Sequence, residues 1–82
     1  MNTAQIKSVT RKQTVYLVEQ LMTIKRCSRD EALEVLMQTS IYEALMDPET
    51  DLYLEPREAL LEMLKDELNG NPNAILDKVL TG

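Results

Sequence analysis

The sequence predicts an all-α fold: a small compact bundle of four to five short helices, in a single helical domain spanning residues 1–82. Three observations point there. Neither Gly nor Pro occurs between Met1 and Asp47, and a run of that length without a strong breaker argues for helices joined by capped turns. A hydroxyl residue followed three positions later by Glu or Gln recurs at Thr10–Gln13, Ser28–Glu31 and Ser40–Glu43, the capping-box spacing of a helix start. Between these starts apolar residues return every three or four positions, the period of a helix that buries one face.

The first helix is expected over Arg11–Arg26, with residues 1–9 a loose arm or a frayed extra turn. Val15, Leu17, Val18, Leu21, Met22 and Ile24 are available for its apolar stripe. Lys25 and Arg26 stand in its last turn, where cations meet the negative end of the helix dipole. A second helix, Arg29–Thr39, opens on Asp30 and Glu31 and offers Ala32, Leu33, Val35 and Leu36 for burial. The third is short, Ile41–Met46, with Ile41, Tyr42, Leu45 and Met46 free to pack. Asp47-Pro48-Glu49-Thr50 fits a type I turn, with Asp first and Pro second. Asp51-Leu52-Tyr53-Leu54 alternates polar and apolar, as a short extended piece would. Pro56 at a first helical position, with Glu58 in the first turn, opens a fourth helix to Leu68, and Asn69-Gly70 closes it. Asn73–Leu80, carrying Ile75, Leu76, Val79 and Leu80, reads as a last short helix. Isolated helices under about 12–15 residues are marginal in water, so these must pack together or on a partner.

Composition excludes several chemistries. The chain has 82 residues, 44% of them apolar and 28% charged, which is too apolar for a disordered protein. A chain of this size buries about 63% of its surface on folding, enough for one modest core. It contains no His and one Cys, so a Ser–His–Asp triad, a Cys–His dyad, a His-containing zinc site, a cysteine metal cluster and an internal disulfide are all ruled out. Cys27 is expected as a half-buried thiol at a helix end, with Lys25, Arg26 and Arg29 nearby. No catalytic, cofactor-binding or metal-ligating residue is assigned, and the protein is expected not to be an enzyme. Nothing has the length of a signal peptide or a membrane span, which makes a cytoplasmic location without membrane contact the expectation.

The net charge of −5 is divided unevenly. Residues 1–29 set six cations against Glu19 alone, a net of +5, whereas residues 30–82 set three cations against thirteen carboxylates, a net of −10. The basic first helix can lie against the acidic remainder, two copies can pair basic end to acidic end as a homodimer, or the acidic part can dock on a partner protein. Nucleic acid is a weaker alternative, because the chain as a whole is acidic. It would use Ser28–Met46 as a helix-turn-helix, yet Ile41–Met46 offers Glu43 and no base-reading Arg, Asn or Gln. A calcium loop is a further alternative. Asp47, Glu49, Asp51, Glu55 and Glu58 fall at positions 1, 3, 5, 9 and 12 of an EF-hand loop, but Leu52 stands where that loop requires Gly. Glu58, Glu62, Asp66 and Glu67 read as a solvated acidic face opposite Leu60, Leu61, Leu64 and Leu68. Tyrosine, apolar in body and polar at the tip, suits an interface and equally the rim of a small core. The candidate interaction surface is therefore Tyr42, Asp47, Glu49, Asp51, Tyr53 and Glu55.

Four segments, YLVEQL at 16–21, DEAL at 30–33, IYEALMDPET at 41–50 and DLYLEP at 51–56, resemble a group of small bacterial all-helical proteins of unknown function. The resemblance covers residues 14–68. Members are often encoded near toxin-like or mobile-element genes, so it implies an accessory or antitoxin-like partner-binding role. It carries no catalytic residue.

Overall fold

One long helix, α1 (Thr3–Lys25), is the element on which the others are assembled. The computed structural model describes residues 2–70. At 23 residues α1 is about 34 Å long, and it begins eight residues earlier than the sequence predicts. Residues 3–9 are helical rather than a loose arm, and Thr10 lies inside the helix, not at its start. Asn2 is the cap. Its side chain accepts from the Gln5 amide at 2.9 Å, while the Gln5 side chain accepts from the Asn2 amide at 2.9 Å. With no breaker between them, the two cap signals compete, and the earlier one wins because Ile6 and Val9 then pack against the core. The Thr10 carbonyl is used instead as an acceptor for the Thr14 hydroxyl at 2.8 Å. Arg26 ends α1 in the left-handed region, at φ 51°.

Two short helices follow. In α2 (Arg29–Met37) the predicted Ser28–Glu31 capping box is formed, but the helix stops two residues short of Thr39. Thr39 is itself the cap of α3 (Ser40–Met46), its hydroxyl accepting from the Tyr42 amide at 3.2 Å. Ser40, the expected cap, is already helical. Its amide and that of Ile41 donate to the Glu67 carboxylate at 2.7 and 3.2 Å, so a side chain 27 residues away closes this helix start.

Residues 47–56 form two consecutive 3-10 turns, Pro48–Thr50 and Leu52–Leu54, rather than a turn and an extended piece. Asp51, in the left-handed region at φ 57°, reverses the chain between them. The helix α4 (Arg57–Leu68) starts after Pro56, which occupies the cap position rather than the first turn. Gly70, at φ 89°, ends it as expected, because glycine enters the left-handed region without steric cost. The expected helix at Asn73–Leu80 lies outside the described residues.

Among the described residues the fold is all-α, and one rule organises its core. Each helix supplies one fully enclosed pair four positions apart: Leu17 and Leu21, Ala32 and Leu36, Ile41 and Leu45, Leu60 and Leu64. Residues four apart share a helix face, so four such pairs meet around a common centre, joined by Val18 and Tyr53. Val15, Ile24, Leu33 and Met46, all assigned to buried stripes by their spacing, are instead between 37% and 46% exposed.

Two stability changes follow. Arg26→Gly removes the left-handed strain of a residue with a Cβ and, net of glycine's extra freedom when unfolded, stabilises by about 0.5–1 kcal/mol. Thermal unfolding should rise by a few degrees. Glu67→Ala leaves the α3 amides without their charged acceptor and costs about 1–2 kcal/mol. Its midpoint falls by roughly 5–10 °C, with Glu67→Gln losing less.

Candidate functional site

On one side, the N-terminal half of α1 faces the end of α3 and the turn after it. Between them lies an open cleft of about 480 Å³. Its floor is apolar: Ile6 and Val15 on one side, Met46 and Pro48 on the other, with Thr10 and Thr14 between. Lys7 and Arg11, four apart on α1, line its basic rim. A smaller recess of about 330 Å³ continues on the outer side of α1, where Arg11 and Lys12 meet Tyr16, Glu19 and Arg57. The Arg57 guanidinium lies 4.8 Å from the Tyr16 ring centroid, a cation–π contact. One cation of the acidic part of the sequence thus joins the basic face of α1.

Beside this cleft, the loop of 3-10 turns is held by one buried side chain. Gln13 is only 9% exposed, and its side-chain amide donates to the carbonyls of Tyr53 at 3.3 Å and Glu55 at 2.8 Å. Both hydrogens of the amide group are thereby used. The two carbonyls flank Leu54, whose side chain is 55% exposed. The clamp therefore fixes the backbone on either side of an outward-facing leucine. Further bonds stiffen the loop. The Thr50 hydroxyl donates to the Ala44 carbonyl at 2.6 Å and accepts from the Leu52 amide at 3.2 Å, and the Asp47 carboxylate accepts from the Glu49 amide at 3.0 Å.

The six residues expected as an interaction surface separate into two groups. Asp47, Glu49, Asp51 and Glu55 are exposed on the loop, but Tyr53 is 7% exposed and belongs to the core, while Tyr42 is half-buried against it. The tyrosines are spent on packing. Among the described residues, no group of three or more carboxylates or thiols is placed to hold a metal ion, so the EF-hand spacing does not become a coordination shell. Cys27 is half-buried, with its sulfur 3.9 Å from the Leu21 carbonyl. Sequence spacing misses Gln13, which it assigns to a cap box, and the cleft residues Lys7, Arg11, Val15 and Met46. Only the packing of α3 against α1 makes a groove of them.

No helix among the described residues is long and apolar enough to cross a membrane. The chain matches no protein-family model, no curated protein and no solved structure.

The clamp predicts a local effect. Gln13→Ala should cost about 1–2 kcal/mol, since it strands two carbonyls at least partly out of water. Hydrogen exchange should accelerate first at the Leu54 and Glu55 amides, which close the second 3-10 turn by bonds of 3.0 Å to Asp51 and Leu52. Uniform acceleration along the whole chain would argue against a local clamp.

Proposed function

We propose that this is a non-enzymatic protein–protein interaction module, an accessory or antitoxin-like factor or a self-associating protein, which docks through the cleft on α1. The observation that carries the reading is the combination of an apolar floor with a basic rim. Contact surfaces of this kind draw affinity from a few enclosed apolar anchors and orientation from charges at the edge. Val15 and Met46, each 40% exposed, sit where burial by a partner would remove apolar surface from water. The exposed carboxylates of residues 47–55 give a second, oppositely charged surface beside the first. The absence of His from the sequence and the single half-buried thiol fit a binding role better than a catalytic one.

The helix-turn-helix reading is weaker. On α3, the would-be recognition helix, Ile41 and Leu45 are buried and Glu43 is exposed. The Glu67 carboxylate already occupies the first α3 amides, where a DNA-reading helix offers donors to phosphate.

The test is a pull-down of the tagged chain from its host, beside a Val15→Glu variant. Wild type should retain one protein in stoichiometric amount, either a different chain or untagged copies of itself, and the variant should lose it. Recovery of the tagged chain alone, as a monomer, would overturn the reading.

A further inference from the structure

We propose that the groove on α1 is filled by Leu54 from a second copy of this chain, so that two molecules exchange leucines across a twofold axis. The inference rests on the docking reading above and names the occupant.

Three features of the molecule carry it. The first is the clamp. A buried glutamine spends both its donors on the carbonyls flanking Leu54, while the neighbouring Tyr53 is anchored in the core. Leu54 thus stands 55% exposed on backbone that has lost its freedom before any contact is made. An apolar anchor held in place in advance lowers the entropic cost of binding. Among the described residues, no element covers Leu54.

The second feature is complementarity. Leu54 is flanked in sequence by the exposed carboxylates Asp51, Glu55 and Glu58, and the one cation among them, Arg57, lies over the Tyr16 ring, whereas the groove has an apolar floor and Lys7 and Arg11 at its rim. An apolar knob in an acidic collar matches an apolar cleft in a basic one. Loop against loop would set like charges together, and the net charge of −5 already opposes unselective association. Knob into groove sets the carboxylates around Leu54 against Lys7 and Arg11 on the α1 side of the groove.

The third is position. Thr10 and Thr14 line the groove and Gln13 holds the knob, so both surfaces lie along the same turn of α1. Neighbouring complementary patches on one molecule can be satisfied twice by a twofold axis, each copy giving a leucine and receiving one. The assembly is then closed and does not grow into a filament.

Sedimentation and light scattering test it with the full chain over about 10–500 µM. Wild type should reach twice its monomer mass of 9.4 kDa. Leu54→Asp and Val15→Glu should each weaken pairing by at least about tenfold. Because both positions are exposed, helicity and melting midpoint measured below the pairing concentration should stay close to wild type, which separates lost contact from lost fold. The decisive experiment is a charge exchange. Lys7→Glu/Arg11→Glu and Glu55→Lys/Glu58→Lys should each be monomeric alone and recover the pair when mixed. Three results overturn the inference: a wild-type monomer at about 500 µM, a dimer indifferent to Leu54→Asp, or no recovery on mixing. A monomer that still captures a stoichiometric partner through Val15 overturns the second copy and leaves the docking reading standing. A monomer that captures nothing overturns both.

Discussion

The buried stripe of α1 is the constraint on which everything else depends. The other three helices among the described residues are nine, seven and twelve residues long, at or below the length that holds together alone in water. They are helical because each can set one enclosed pair of side chains against a common centre to which α1 contributes Leu17, Val18 and Leu21. Truncating Leu17 or Leu21 to Ala would cost about 2–5 kcal/mol, a large part of the 5–15 kcal/mol that holds a typical domain together. A core this small has little redundancy.

Polar ties between distant segments turn that apolar centre into one arrangement. Apolar packing is nondirectional, so pairs of leucines alone do not determine where a loop lies or where a helix begins. Gln13 does the first, joining α1 to carbonyls 40 and 42 residues later. Glu67 does the second, carrying the end of α4 to the start of α3. Both give partners to backbone groups, part of them buried, that no helix of their own satisfies, and a buried group left without a partner costs more than forming the bond returns. Local caps serve three helix starts, with Asn2 and Ser28 in reciprocal boxes and Thr39 beside Glu67 at α3, while α4 starts behind Pro56 without a side-chain cap.

The same economy shapes the candidate site. The turns after α3 bring Pro48 and Met46 to α1 on one side and carry Leu54 outward on the other. Groove and knob are therefore products of one loop path, and that path is held by Gln13 and Thr50. The cleft and the exposed Leu54 both leave apolar surface that no described element buries.

Much of this was legible in the residues themselves. The absence of breakers before Pro48, the apolar period and the Ser28–Glu31 box determine an all-helical chain with helices near the observed positions, because these are effects within one or two turns. The acidic character of residues 47–55 is legible for the same reason. Tertiary structure decided the rest. Thr10–Gln13 and Asn2–Gln5 carry equivalent local signals, and only the contact of Ile6 and Val9 with the core selects the earlier start. Tyr53 and Leu54 are adjacent, and only the long-range clamp determines which is buried and which faces water. Val15 and Met46 have core spacing, yet they face an open cleft because no described element covers them. Spacing along a helix specifies which residues share a face; what that face meets depends on segments far away in sequence, held there by Gln13 and Glu67.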